Sequence, residues 1–125
     1  MLGQSRLQSI IWTSRIAEAE HFYTDVLGLH LRGNSEGALV YDVNGSDLRV
    51  CPVPATQPTT HTVMGFAVEH LDVIISELGK RGLTWEHFPG FPHDGRGVVI
   101  TPGGSRVVWF RDPDGNLLSI VELSP

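Results

Sequence analysis

Apolar residues recur at helical spacing in two segments of the chain. The first set is Ile16, Ala19, Tyr23 and Val26, and the second is Leu71, Ile74, Ile75 and Leu78. Each set forms one apolar stripe, which is typical of a helix that is buried along one side. The spacing predicts helices from about Arg15 to Val26 and from about Leu71 to Arg81. Ser14 is a suitable N-cap for the first helix, and Gly28 and Gly82 are suitable C-terminal stops.

Short strand-like runs surround both predicted helices. In the first half they are Gln8 to Thr13, Leu29 to Arg32, Ala38 to Val43 and Asp47 to Cys51. In the second half they are Val63 to Glu69, Leu83 to His87, Gly97 to Thr101, Arg106 to Arg111 and Asn116 to Glu122. Asn44-Gly45 is a strong hairpin signal between two of these strands.

The two halves form a degenerate repeat, because Gly28 and Gly82 end their helices 54 positions apart. The element order is βαβββ, a proline-rich linker, then βαβββ again. Neither unit can bury its sheet face alone, so the order predicts one α+β domain of two tandem units over residues 1–125. Unit one covers about residues 5–53, the linker about 54–61, and unit two about 62–125.

Composition narrows the class of protein. The chain has 125 residues, of which 41% are hydrophobic and 18% charged, a profile typical of globular domains. The net charge is −5 and no basic run occurs, so nucleic-acid binding is not expected. No apolar run approaches the length of a membrane span, and no signal segment is visible. Cys51 is the only cysteine, which favours a cytoplasmic location.

The segment Asp112-Pro113-Asp114-Gly115-Asn116 has the chemistry of a hairpin turn, which favours a structural role for its two aspartates over a metal or catalytic one. Together with Phe22-Tyr23-Thr24-Asp25-Val26-Leu27-Gly28-Leu29, it resembles motifs of the vicinal oxygen chelate superfamily. That superfamily includes glyoxalase I, bleomycin-resistance proteins, fosfomycin-resistance enzymes and extradiol dioxygenases. The resemblance covers nearly the whole chain and implies that the sheets curl into a cup.

The resemblance also implies where a metal would bind, because metal-dependent members carry His, Glu or Gln on the first and last strands of each unit. Those positions fall on Gln8, Val63 and Ser119, with Cys51 the one possible ligand on the last strand of unit one. This set is poor for a divalent cation, so no metal cofactor is expected. The alternative is a site restored by His61, Cys51 or a dimer partner.

Strand alternation indicates which side chains would line the cup. Gln8, Ile10 and Trp12 would share one face of the first strand, and the small residues Gly65 and Ala67 would leave space opposite Trp12. With Arg49 as an anchor for an anionic group and Phe91 on a lid-like loop, the predicted ligand-binding residues are Gln8, Trp12, Arg49, Gly65, Phe91 and Ser119. Arg106, His87 and His93 are weaker candidates.

The sequence therefore favours a glyoxalase/bleomycin-resistance-like protein that binds a small organic molecule or drug in an apolar cup without a metal. The alternative is a metal-dependent lyase, isomerase or dioxygenase of the same superfamily. A metal-free enzyme using His or Arg, and a structural or regulatory module with a filled cup, also remain open. The resemblance implies a homodimer, in which Trp109, expected on the face opposite Ser119, would contribute to subunit packing.

Overall fold

The computed structural model describes residues 1–125 and divides them into two compact units, Met1–Gln57 and Pro58–Pro125. Apart from a short 3-10 turn at Leu2–Gln4, the first unit contains β1 (Gln8–Thr13), α1 (Ile16–Glu20), a π-helical turn (His21–Val26), β2 (His30–Ser35), β3 (Ala38–Val43) and β4 (Ser46–Pro52). The second contains β5 (Thr62–Ala67), α2 (Leu71–Lys80), β6 (Val99–Ile100), β7 (Arg106–Arg111) and β8 (Leu117–Glu122). The predicted α+β fold with two βαβββ units is confirmed.

The sheet of the first unit has the strand order β1-β4-β3-β2, in which β1 and β4 are parallel and the other neighbours antiparallel. One of its faces is buried. Ile11 and Val50 on the sheet and Tyr23 on the helical segment are at most 2% exposed. The Tyr23 and Tyr41 rings lie 6.1 Å apart, and the hydroxyl of Tyr41 hydrogen-bonds that of Thr24 at 2.9 Å. Ala19 and Tyr23 of the predicted apolar stripe are therefore buried, whereas Ile16 at the start of α1 is 36% exposed.

The first helical segment differs from the prediction at its start and in its middle. Arg15 rather than Ser14 occupies the N-cap position, and its backbone N–H donates to the hydroxyl of Thr13 at 3.0 Å. After Glu20 the α-helix widens into a π-helical turn. It still ends at Gly28, whose φ of 73° is left-handed, as a C-terminal stop requires.

The sheet of the second unit has the order β5-β8-β7-β6, and α2 covers one of its faces. Leu71, Ile75 and Leu78 of α2 are buried, as are Val108 and Phe110 of β7. The predicted helix is therefore confirmed, with its last residue at Lys80 rather than Arg81. No helix of the chain is both long enough and apolar enough to cross a membrane.

The predicted strand from Leu83 to His87 is wrong. Val99–Ile100 pairs with the first two residues of β7, Arg106 and Val107. Farther along the same edge, β7 receives a single backbone hydrogen bond, from Glu86 N to the Trp109 carbonyl at 2.9 Å. One bond does not make a ladder, so this segment stays irregular. The predicted strand at Gly97 to Thr101 shortens to Val99–Ile100 for the same reason: only two residues find partners on β7.

Candidate functional site

The sheet of the first unit has an open face that carries large apolar side chains. Along β1 the exposed residues alternate with buried ones: Ile10 and Trp12 are 53% and 62% exposed, whereas Ile11 and Thr13 are at most 2% exposed. Gln8 is exposed and lies on the same face as Ile10 and Trp12. The alternation therefore follows the sequence pattern.

The adjacent strand β4 adds polar groups to this face. In the parallel register Gln8 pairs with Asp47, Ile10 with Arg49 and Trp12 with Cys51, and paired residues share a face. The Nη2 of the Arg49 guanidinium donates a hydrogen bond to the Ser35 carbonyl at 3.2 Å. It lines an open pocket of about 300 Å³ on the β2–β4 side of the sheet. The pocket is formed by Arg32, Gly33, Asn34, Ser35, Val40, Asp47 and Arg49. Arg49 therefore stands between an apolar strip and a polar pocket.

The open face of the second unit is built around Gly65 and Ser119, which are partners in the parallel β5–β8 register. A Cβ placed on Gly65 would lie 2.6 Å from the Ser119 hydroxyl, closer than real Cβ contacts come. The expectation of empty space beside Gly65 is therefore wrong, because the serine side chain fills it. Val63 and Ala67, also on β5, are exposed.

Trp109 shares this face, contrary to the sequence prediction that set it opposite Ser119. In the antiparallel β7–β8 register Trp109 pairs directly with Ser119. Its indole Nε1 donates to the Thr62 hydroxyl at 3.1 Å, and the Phe88 ring stands edge-on to it at 5.3 Å. Counting outward from the turn at Asp112–Asn116 gives this pairing. Trp109 is therefore a candidate site residue that parity alone assigned to the wrong face.

The Asp112–Asn116 turn is a closed structural unit. The Asp112 carboxylate accepts hydrogen bonds from Asp114 N at 3.0 Å, Asn116 N at 2.9 Å and Asn116 Nδ2 at 2.8 Å. Arg111 Nη1 donates to the Gly115 carbonyl at 2.7 Å and to the Thr59 carbonyl at 2.8 Å. Asp112, Asp114 and Asn116 are buried. The predicted structural role of the aspartates agrees with these contacts.

The loop from Phe88 to Gly95 is exposed and held at its end. Phe91 is 60% exposed. The Asp94 carboxylate accepts from the backbone of Arg96 at 2.8 Å and of Val98 at 3.0 Å. The His87 and His93 rings lie 5.0 Å apart, and His93 Nδ1 contacts the Asp94 carbonyl rather than a carboxylate. The loop therefore presents an aromatic side chain on a fixed base, but no histidine–carboxylate pair.

Arg106 is engaged on the helix side of its sheet rather than on the open face. It contacts Asp72 at the start of α2 at 2.6 Å and Glu122 of β8 at 3.2 Å. Arg96 also binds Asp72, at 2.7 Å. The hydrogen bonds from Arg106, and to a smaller extent those from Arg96, lower the pKa of Asp72 to about 2. Glu122 in turn accepts the backbone N–H of Leu71 at 3.1 Å. This cluster stabilises the helix start and leaves Arg106 outside the candidate site.

Comparison with known proteins identifies the family. Residues 6–120 match the model of the Glyoxalase/Bleomycin resistance protein/Dioxygenase superfamily. The chain belongs to this superfamily. The predicted resemblance to the vicinal oxygen chelate proteins is thereby confirmed. No curated protein matches the sequence.

Solved structures of superfamily proteins share the fold. Lactoylglutathione lyase from Agrobacterium tumefaciens is 18% identical, with 95% of this chain and 93% of that chain covered and a TM-score of 0.73. The glyoxalase/bleomycin resistance protein from Catenulispora acidiphila is 22% identical, with coverage of 95% and 98% and a TM-score of 0.71. The glyoxalase family protein from Enterococcus faecalis is 20% identical, with coverage of 98% and 100% and a TM-score of 0.75. At these identities the similarity concerns the fold alone.

The residues at the superfamily's metal positions do not fit a divalent cation. Val63 has no donor atom, Ser119 offers a neutral hydroxyl against Gly65, and Gln8 offers one amide. His61 is exposed and precedes β5 rather than lying on it. Nowhere in residues 1–125 do three His, Cys, Asp or Glu side chains come together in a group able to hold a metal. Such sites need several imidazole or carboxylate ligands, and this donor set does not supply them.

Proposed function

We propose that this protein binds a small organic molecule on the open faces of its sheets without using a metal. The observation that carries the proposal is the exposure of Trp12 and Ile10, at 62% and 53%, on a face whose polar residues include Arg49 and Gln8. Apolar surface beside a few convergent polar groups is the usual composition of a small-molecule site. An indole adds a flat surface of large contact area and low conformational-entropy cost.

The second unit supports the same function independently. Its open face carries Trp109, fixed by Thr62 and Phe88, beside Ser119. A tryptophan whose N–H is already bonded cannot easily turn, so it offers a rigid apolar surface. The Ser119 hydroxyl beside it supplies a polar contact. The open face of each unit therefore combines one indole with hydrogen-bonding groups.

A ligand screen by thermal shift tests the proposal, since a ligand that binds the folded chain raises its Tm by mass action. A library of small aromatic and aliphatic compounds is screened against the wild type, Trp12→Ala and Val73→Ala. Val73 is a matched control because it is 66% exposed but lies on α2. We expect that some compounds raise the Tm of the wild type and of Val73→Ala, and that the same compounds raise the Tm of Trp12→Ala much less. No active compound, or equal shifts in all three proteins, contradicts the proposal.

Metal analysis separates this function from the metal-dependent lyase, isomerase or dioxygenase alternative. The protein is purified without chelators and its content of zinc, nickel, manganese and iron is measured, alongside Gln8→Ala. We expect no stoichiometric metal in either protein. A stoichiometric metal that is lost in Gln8→Ala overturns the metal-free proposal and favours the enzyme.

The proposal includes a cytoplasmic homodimer. The superfamily resemblance supports the dimer, and the single cysteine, Cys51, a free thiol, supports a reducing compartment. Light scattering after size exclusion measures the mass directly. A monomer at micromolar concentration contradicts the dimer without affecting the ligand proposal.

A further inference from the structure

The pocket beside Arg49 is shaped by an irregularity in β2. The β2–β3 register jumps from Leu31–Tyr41 to Gly33–Val40, which leaves Arg32 as an extra residue without a cross-strand partner. A bulge of this kind redirects a side chain and often stands next to a binding site. Arg32 Nη1 contacts the Asp47 carboxylate on β4 at 3.0 Å. A second guanidinium therefore lines the pocket together with that of Arg49.

The charges of this pocket do not cancel. Asp47 is its one carboxylate, and it is already engaged by Arg32 and, at 3.3 Å, by Arg6. Asp42, the cross-strand neighbour of Asp47, lies outside the pocket lining and accepts from the backbone of Gly45 at 3.1 Å. Arg49 donates only to the Ser35 carbonyl. An excess of positive charge is therefore concentrated here, on a chain whose net charge is −5.

The donors of Arg49 suit an anionic group. A guanidinium has five N–H donors in a planar fork that matches a carboxylate, and one of them is used within the protein. Arg49 pairs with Ile10 in the parallel register, and Trp12 follows two residues along the same strand face. Two residues of strand span about 7 Å, roughly the length of a phenyl ring with its first substituent. A ligand whose carboxylate binds Arg49 would therefore place its apolar body on Ile10 and Trp12.

We propose that the ligand is a small organic carboxylate, whose anionic group binds in the Arg32–Arg49 pocket and whose apolar body lies on Ile10 and Trp12. This inference rests on the proposed function and adds the ligand class to it. Hydrogen bonds between charged groups are stronger than those between neutral groups. Because the pocket is open to solvent, dissolved salt screens the attraction between the ligand carboxylate and the arginine side chains. Affinity should therefore depend on ligand charge and fall as ionic strength rises.

Matched acid and amide pairs test the ligand class by calorimetric titration. The probes are benzoate, phenylacetate, 3-phenylpropionate, indole-3-acetate and octanoate, each compared with its primary amide. In the wild type we expect at least one acid to bind about tenfold tighter than its amide, a difference of about 1.4 kcal/mol. Arg49→Gln should reduce that difference to less than about twofold, because it weakens acid binding much more than amide binding, and Arg49→Lys should retain part of the difference. Arg15→Gln is the control, because Arg15 is exposed and pairs with Glu18 at the start of α1.

The outcomes separate this inference from the function on which it rests. Acids and amides that bind equally well overturn the carboxylate assignment and leave the small-molecule proposal standing. An acid preference that survives Arg49→Gln overturns the role of this pocket. If no probe binds and the thermal-shift screen is also negative, both proposals are wrong. If the screen yields only neutral or cationic compounds, only the carboxylate inference is wrong.

Discussion

Replacing Gly97 by alanine should destabilise the second unit through two separable effects. Gly97 is buried with φ at +94°, a conformation that costs an alanine about 1–2 kcal/mol. An added Cβ would also press on the Glu86 carbonyl oxygen and come within 2.9 Å of the His87 ring. The Glu86 backbone is tied to Trp109 by the hydrogen bond from Glu86 N, so it cannot withdraw freely. Overpacking of this kind costs about 1–3 kcal/mol.

The two costs are partly offset in the unfolded chain, where alanine is less flexible than glycine by about 0.4–1 kcal/mol. We therefore expect Gly97→Ala to lose about 2–4 kcal/mol of unfolding free energy. Gly95→Ala is the matched control: it lies two residues away, its added Cβ meets nothing within 4 Å, and its φ is not left-handed. Its free energy of unfolding should change by less than about 1 kcal/mol.

Equilibrium urea unfolding followed by circular dichroism measures both variants. With a urea m-value of about 2 kcal/mol/M, the midpoint of Gly97→Ala should fall by about 1–2 M at unchanged m. Equal midpoints for the two variants would refute the close approach of Gly97 to Glu86. A lower m-value for Gly97→Ala would instead indicate a change in the compactness of one state.

Three further changes test the structure at other points. Asp112→Ala removes the carboxylate that accepts three hydrogen bonds in a buried turn, so the unfolding free energy measured in urea should fall by about 2–4 kcal/mol. A loss below about 1 kcal/mol would contradict the turn network. The hydrogen bonds of Arg106 lower the pKa of Asp72 to about 2 in the folded protein, against about 4 in the unfolded chain. The ionised carboxylate therefore stabilises the fold at pH values above about 4, and this stabilisation is lost as the pH falls towards 2. The stability of Asp72→Asn should therefore be below wild type at pH 6 and converge with it near pH 2, in urea titrations at each pH; a gap independent of pH would contradict the ion pairing. Gly65→Ala should lower the unfolding free energy by about 1–3 kcal/mol, and by less when Ser119 is also replaced by alanine. If the losses of the two single variants simply add in the double variant, the two side chains do not compete for space.

Local patterns in the sequence were sufficient for most of the fold. Helical periodicity gave both helical segments, because a stripe such as Leu71 to Leu78 needs only one apolar surface to pack on. The predicted strand from Leu83 to His87 is wrong for the opposite reason, since a strand needs a ladder of partners and this segment makes one backbone hydrogen bond to β7, from Glu86 to Trp109.

The candidate site was less accessible to sequence reasoning, because it depends on register and on irregular backbone. The family resemblance points to Gln8, and alternation along β1 then predicts that Trp12 shares its face, as the structure shows. The contact of Arg32 with Asp47 joins β2 to β4, two strands away in the sheet, and no spacing along the chain indicates it. Gly65 and Ser119 are both predicted from the sequence as ligand-binding residues, but their mutual contact depends on the pairing of β5 with β8.

The turn at Asp112–Asn116 explains why the second unit presents an indole near its metal position. A hairpin turn fixes the register of its two strands, so Arg111 pairs with Leu117 and Trp109 with Ser119. In the first unit Trp12 likewise pairs with Cys51 on the last strand. On the last strand of each unit, one residue thus has a tryptophan as its cross-strand partner. These residues are Cys51 and Ser119, and neither carries a carboxylate. A flat aromatic surface binds by apolar contact and needs no charged metal centre, so the two indoles support the proposal that the protein binds a small organic molecule without a metal.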